Sequence, residues 1–346
     1  MKTRWWIAVT EVQHSCPGAE TNPLHTSRNM YSFVRRLVVC AVPLIIALTG
    51  FGSPRADHVF IISIDGGKPS VIERSDMPVL KQLAAEGACT WAASTIYPSV
   101  TLPSHTSMLT GVGPDKHHVL WNGWKPRKGV VGVPTIFAEA KRAGFSTAMF
   151  VGKEKFRHLV QPGTVDEFEF GPAQPKSPST VLSRIVAKGA ARFISENKPN
   201  LCFIHFTDPD NAGHKYGWGS PQQIKAFGEV DAALAEIVKA IEAAGISHES
   251  VLIITADHGG HGKTHGGKTP EDILIPWIAW GKNVKRGLTI TRPLMTYDTA
   301  ATALWLLGVP VPKAFDGKPV IRAFAFQGDQ MASEAGRTKH GTGLGL

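Results

Sequence analysis

Short apolar runs alternating with helical segments constrain this chain more than any other feature. His58–Asp65 (HVFIISID) is continuously apolar and ends in Asp65-Gly66-Gly67, the pattern of a parallel strand buried on both faces. Further strand-like runs are predicted at Cys89–Ile96, Ser146–Val151, Leu201–Phe206, Val251–Thr255 and Ile275–Trp280. Between them, residue spacing predicts helices over Met77–Ala88, Thr135–Ala143, Pro178–Asn197, Pro221–Ala244 and Thr299–Leu307. Such alternation specifies an α/β fold, a doubly wound and mostly parallel sheet with helices on both faces. Gly/Pro/Lys-rich stretches at 111–134 and 152–177 interrupt it and are expected to form small cap insertions, not a second domain. No internal repeat is visible, and residues 327–346 are expected to form a loosely ordered tail.

Composition removes several function classes. A chain with 43% hydrophobic and 19% charged residues can bury a core and is not intrinsically disordered. No glycine triplet or heptad period runs through it, which excludes collagen and coiled coil. The net charge of +9 is misleading, because residues 1–56 hold six basic and two acidic residues and the remainder carries only +5. That excess is spread out, with no basic block interleaved with aromatics, so no dedicated nucleic-acid groove is expected. A mild positive field favours small anionic substrates.

Arg35-Arg36 precedes the apolar run Leu37–Leu48, followed by small residues up to Ala56. This reads as a secretory signal starting near Met30, with cleavage after Gly52 or Ala56. The apolar run is short of the about 20 residues that span a bilayer. Residues 1–56 are therefore read as an extension plus signal peptide, and the protein as exported, periplasmic or secreted, with no membrane span in the mature chain. An uncleaved anchor and a twin-arginine signal are the alternatives. Four cysteines are too few for a disulfide scaffold. Cys16 and Cys40 leave with the signal, and Cys89 and Cys202 sit in strand-like runs as free thiols or as a pair.

Ligands of open α/β sheets bind beyond the carboxyl ends of the strands. Three strand-like runs end there in groups that bind metals. One ends at Asp65, one leads into Asp257-His258, and Leu201–Phe206 leads into Asp208-Pro209-Asp210-Asn211-Ala212-Gly213-His214. Gly262-Lys263-Thr264-His265-Gly266 follows shortly after. Nitrogen and carboxylate donors without clustered cysteine favour zinc or a similar divalent ion. Asp65, Asp210, Asp257, His214, His258 and His265 suffice for two ions with three ligands each, and paired ions clamp the attacking and leaving oxygens of a phosphoryl displacement. His205 and His261 lie in the same region; the first reads as core packing and the second fits ligation less well. Asp208 reads either as a support for a ligand histidine or as ordinary loop chemistry. Lys153, Lys155, Arg157, Lys263 and Lys268 are solvated charges or a clamp for a terminal phosphate. Trp121, Trp124 and Trp218 pack at the rim or stack on a flat leaving group. Thr101, in Pro98-Ser99-Val100-Thr101-Leu102-Pro103-Ser104-His105, opens a short helix. It is a nucleophile if a cation stabilises its alkoxide, and otherwise a helix cap.

Taken in order, these motifs resemble the type I phosphodiesterase/nucleotide pyrophosphatase family of the alkaline phosphatase superfamily. Ile64-Asp65-Gly66 resembles its first metal-binding strand end, Pro98–His105 its nucleophile segment, Pro209–His214 its P-D-x-x-G-H segment, Ala256–Gly259 its S-D-H-G segment and Thr264-His265-Gly266 its last histidine ligand. The resemblance implies an alkaline phosphatase-like catalytic domain over 57–326 and two Zn2+, or other divalent ions. One would be held by Asp210, His214 and His265. The other would be held by Asp65, Asp257 and His258, with Thr101 bound to it as nucleophile. The Leu102 N–H and the Asn122 side chain would hold the phosphate. It implies a hydrolase of phosphodiester or pyrophosphate bonds in small substrates, nucleotides among them, working through a phospho-threonine. Leu102 stands in place of the family's usual aromatic and Ser104 in place of its usual asparagine, and the short chain between His258 and His265 resembles the compact members, which include phosphomonoesterases and phosphonate hydrolases. A metal- or ligand-binding protein without turnover is the reading from another class. A sulfatase is excluded, since Thr101 cannot become formylglycine and His105 stands where that pattern has arginine.

Overall fold

The computed structural model describes residues 55–171 and 181–325. The expectations for the signal segment and for the tail lie outside them. In chain order the strands are β1 (His58–Ile64), β2 (Ala88–Ser94), β3 (Thr147–Val151), β4 (Glu167–Phe170), β5 (Leu201–Phe206), β6 (Ser250–Ala256), β7 (Leu274–Gly281) and β8 (Leu288–Thr289). The α-helices are α1 (Pro69–Arg74), α2 (Pro78–Glu86), α3 (Thr101–Thr110), α4 (Pro114–His117), α5 (Ile136–Arg142), α6 (Leu182–Asn197), α7 (Asp208–Tyr216), α8 (Pro221–Ala243), α9 (Pro270–Ile273) and α10 (Asp298–Leu306).

Eight strands form one sheet in the order β4-β3-β5-β1-β6-β7-β2-β8. β3, β4, β5, β1 and β6 run parallel, and β7 alone is antiparallel to both its neighbours. Successive side chains of a strand point to opposite faces, so the central strands feed two cores. On one face Val59, Ile61, Phe203 and Ile253 pack with α3, α5 and α10. On the other, Phe60, Ile62, Ile204 and Ile254 pack with α2, α6 and α8. The sheet is thus covered on both sides, which explains why its strands lack polar alternation.

Two expectations need correction, and one choice the sequence left open is decided. The stretch at 152–177 is not merely a cap: β4 pairs with β3 and forms an edge of the sheet, because Phe168 and Phe170 find partners there. Arg55 and Ala56 belong to the fold, not to the extension, since both backbone N–H groups donate to Leu306 O and Ala56 is fully buried. Cys89 and Cys202 are free. They lie on β2 and β5 with β1, β6 and β7 between them, and four inter-strand spacings of about 4.8 Å put them far beyond disulfide reach.

Register positions the site. Ile64 pairs with Phe206 on one side and Ala256 on the other, and Val151 pairs with His205. Four adjacent parallel strands therefore end at nearly the same level. Just past those ends come Lys153, the α7 residues, Asp65 and Asp257-His258.

Candidate metal centre

The structure brings together the acidic and imidazole groups singled out at the strand ends, except Asp208 and His261. Asp65, Asp257 and His258 are fully buried and Asp210 nearly so. Asp210 and His214 share one face of α7, four residues apart, a spacing that makes side chains neighbours on a helix. The loop after β6 carries His258 and His265, whose rings stack with centroids 3.6 Å apart.

Three imidazoles are oriented by backbone carbonyls. The Nδ1–H groups of His214, His258 and His265 donate to Lys263 O at 3.0 Å, Gly259 O at 2.8 Å and Ser99 O at 2.9 Å. A neutral imidazole whose Nδ1 carries the proton presents a bare lone pair at Nε2. His214 Nε2 and His265 Nε2 lie only 3.1 Å apart, and His258 Nε2 is buried without a hydrogen bond. The carboxylates contribute matching orphans: Asp65 Oδ1, Asp210 Oδ1 and Asp257 Oδ2 are all buried and unpaired. Such groups are costly to bury unless something unites them, and cations ligated by them would do so.

Two groups have donor atoms close enough to hold an ion, Asp210 with His214 and His265, and Asp65 with Asp210 and His258. Asp210 thus lies between both, a position its sequence context did not suggest. Asp257 borders the second group through Oδ2, 3.2 Å from His258 Nε2. Its Oδ1 accepts from the N–H groups of Gly66 and His258.

Lys153 reaches into this centre. Its Nζ lies 2.6 Å from Asp65 Oδ2 and 2.6 Å from Asp210 Oδ2. Burial alone would lower its pKa, but the two carboxylates reverse that and raise it. Burial likewise pushes Asp65 up, and the Lys153 ammonium, the hydrogen bond from His205 and the nearby His258 ring hold it well below the usual carboxylate range. Asp257 is pushed up to about 8 by burial and by the Asp65 charge. His258 goes up to about 9 against burial, drawn by Asp257 and Asp65. His265 falls to about 4 through burial and the nearby His258.

The segment containing Thr101 is stitched to the same centre. Ser99 O accepts from His265, the Ser99 hydroxyl donates to Gly267 O, and the Ser104 hydroxyl donates to Asp257 O. His105 bonds Thr101 O at 2.8 Å and Ser63 Oγ at 2.8 Å, with Nδ1 3.5 Å from Asp257 Oδ2. Thr101 is buried as the first residue of α3; the N-cap position is Val100 and carries no side-chain cap. Thr101 therefore does not serve as the helix cap that local sequence allowed. The Leu102 N–H donates to Asn122 Oδ1 at 2.9 Å, and Lys155 Nζ donates to the same oxygen at 3.0 Å. Both donors thus converge on the Asn122 amide oxygen at the helix N-terminus, where N–H groups favour an anion. Burial and the neighbouring Lys153 lower Lys155 to about 8.

Other residues fall elsewhere. His205 is buried, as a core residue would be, but its Nε2 bonds Asp65 Oδ2 at 2.8 Å. It orients a carboxylate of the centre instead of merely packing. His261 bonds Asp272 and belongs to neither donor group. Asp208 supports no histidine; it accepts the N–H groups of Leu182 and Ser183 at the start of α6. Arg157 lies over the Phe170 ring, and Lys268 over Tyr97. Trp218 forms a wall, its ring edge-on to His214 and its Nε1 donating to Gly66 O. A Cβ at Gly260 would stand 2.2 Å from that indole, so the wall requires glycine there.

Comparison with known proteins matches residues 59–266 to the family model described as type I phosphodiesterase / nucleotide pyrophosphatase. An uncharacterized pyrophosphatase/phosphodiesterase of Schizosaccharomyces pombe is 25% identical over 220 residues, covering 58% of this chain and 44% of that protein. A bis(5'-adenosyl)-triphosphatase of Mus musculus is 22% identical over 252 residues, covering 64% and 52%. The chain spans about half the length of such curated relatives. Among solved structures, murine ectonucleotide pyrophosphatase/phosphodiesterase 5 in complex with AMP superposes with a TM-score of 0.64 at 14% identity, over 78% of this chain and all of that one. A 2-O GAG sulfatase gives 0.62 at 15% identity over 78% and 74%. These superpositions establish an alkaline phosphatase-like fold shared by both kinds of enzyme.

Proposed function

The chain belongs to the type I phosphodiesterase / nucleotide pyrophosphatase family, and on that premise we propose that it hydrolyses phosphodiester or pyrophosphate bonds of small substrates through a phospho-threonine at Thr101. One observation carries the reading: three carbonyl-oriented imidazoles and three orphaned carboxylate oxygens converge beside the Thr101 helix. This donor set fits divalent ions such as zinc. Asp210, His214 and His265 would hold one ion, and Asp65, Asp257 and His258 the other, with Asp210 adjacent to both. When bound, the ions supply Lewis-acid stabilisation of the attacking and leaving oxygens.

The chain's own residues supply the rest. The Thr101 hydroxyl forms the new P–O bond as the bond from phosphorus to the leaving oxygen breaks; water then cleaves the phospho-threonine and restores the hydroxyl. A phosphoryl oxygen that displaces Asn122 Oδ1 from the Leu102 N–H would be held by that N–H and by the Asn122 amide N–H as charge gathers on it. His105 fixes the first turn of α3 by bonding Thr101 O and Ser63 at once, which keeps the nucleophile in one orientation.

A second reading has its own support. Lys155 places an ammonium on the phosphate-holding Asn122, a charge suited to the extra negative oxygen of a phosphomonoester or phosphonate. Export rests on the Arg35–Leu48 pattern; among the described residues no helix is long and apolar enough to cross a membrane.

Turnover of bis-p-nitrophenyl phosphate against p-nitrophenyl phosphate separates the readings. A diester preference supports the first; preference for the monoester by orders of magnitude overturns it in favour of the second. In either case Thr101→Ala should lose at least about a thousandfold in kcat, and an undiminished rate would refute the mechanism.

A further inference from the structure

His158 has no place in the chemistry above, yet it is fully buried in a short turn of 3-10 helix, Glu154–Leu159, just past the end of β3. Its ring makes three hydrogen bonds to a single loop. Nδ1 donates to Gly129 O at 2.5 Å, and Nε2 accepts from Lys125 N at 3.0 Å and from Trp121 Nε1 at 3.3 Å. Those partners fix the neutral tautomer, because Nδ1 faces an acceptor and Nε2 faces two donors. Trp121 meets the ring edge-on and Trp124 lies against it with centroids 4.5 Å apart.

This loop needs a clamp. Over residues 118–134 its only helical element is the 3-10 turn Pro126–Lys128, so regular backbone pairing does not order it. Among the described hydrogen bonds, every one that leaves residues 120–130 ends on the His158 ring or on the Asn122 side chain. The clamp itself is anchored on the floor of the centre: Phe156, two residues before His158, packs against His105 and His205 at centroid distances of 4.7 and 4.6 Å.

We propose that His158 is a positioning residue that holds the Trp121–Gly129 loop so that Asn122 stays at the α3 N-terminus to receive the phosphoryl oxygen. The inference rests on the phosphoesterase reading and adds the residue that sets its phosphate-holding arm. His158 touches no reacting atom and acts through Asn122.

A double-mutant cycle tests it. His158→Phe keeps the ring volume and removes the hydrogen bonds, and should lower kcat/KM by about tenfold or more on the faster of the two nitrophenyl esters. In an Asn122→Ala background the same change should cost less than about twofold, because the arm it positions is gone. His158→Gln offers an N–H and a C=O at similar reach and should recover activity to within about threefold of wild type. Trypsin cleavage after the exposed Arg127 and Lys128 should accelerate in His158→Phe and not in His158→Gln. Equal losses in both backgrounds, or an unaffected His158→Phe, would overturn the proposal. If His158→Phe does not fold, the cycle is run with His158→Asn, which withdraws its polar atoms from Lys125 and Gly129, and the same two outcomes decide. A wild type inactive on both esters would count against the proposed function; unchanged trypsin cleavage would then still overturn the clamp.

Discussion

Replacing Lys153 by methionine should destabilise the metal-free protein strongly and the metal-loaded protein hardly at all. Its side chain is 16% exposed, and its ammonium lies 2.6 Å from oxygens of both Asp65 and Asp210. Removing one partner of a buried ion pair typically costs about 3 to 5 kcal/mol, because the remaining charges stay buried and uncompensated. Here two carboxylates lose their shared cation, with Asp257 nearby. Methionine is unbranched and only one atom shorter than lysine, so the cavity contribution is small. For a folded unit of this size each kcal/mol moves Tm by roughly 2 °C, giving a drop of about 6 to 10 °C in the presence of a chelator. Bound dications would reverse the local charge balance, and Lys153 would then face cations as well as carboxylates. The expected loss after reloading with zinc is under about 2 °C. Thermal unfolding followed by circular dichroism, with chelator and with zinc, measures both shifts. An equal drop under both conditions would show that Lys153 and the proposed ions do not share the same carboxylates.

Protons should leave when metal binds. Asp257, pushed up to about 8 by burial and the Asp65 charge, and His258, drawn up to about 9 by Asp257 and Asp65, titrate as a pair, and ligation must displace the proton that the pair keeps at pH 7. Low pH therefore opposes loading, and affinity should rise with pH until about pH 9; calorimetry in buffers of different ionisation heat should show release at pH 7 and little above pH 10, whereas no release at pH 7 would contradict the assignment. His265, lowered to about 4, is already neutral and contributes nothing to that count. His205→Phe removes the bond that orients Asp65 and should weaken zinc binding by about 10- to 100-fold; an unchanged affinity in a competition titration with a chromophoric chelator would make His205 a packing residue after all.

Much of this site was legible because a doubly wound sheet converts sequence order into spatial order. Apolar runs that end in Asp65 or lead into Asp257-His258 must deliver those residues to the same sheet edge, and the α7 spacing from Asp210 to His214 aligns both on one helix face. What the sequence hid were contacts between distant segments. Asp210 lies between both donor groups because of where α7 starts relative to β1. His205 was read as core from its apolar neighbours, yet strand alternation already put it on the face of Ser63, with which it pairs. The antiparallel course of β7 had a signal too. Residues 257–273 between β6 and β7 are occupied by the histidine loop and the four-residue α9, leaving no crossover helix to bring β7 back in parallel. His158 left no pattern, since a lone histidine among lysines reads as surface until the loop it clamps is seen.

Metal analysis of the purified protein, combined with anomalous diffraction at the zinc edge, tests the central claim most directly. The account predicts two ions per chain, one against Asp210, His214 and His265 and one against Asp65, Asp257 and His258, with Thr101 facing them. Fewer than two ions after zinc loading, or ions lodged away from these side chains, would contradict it.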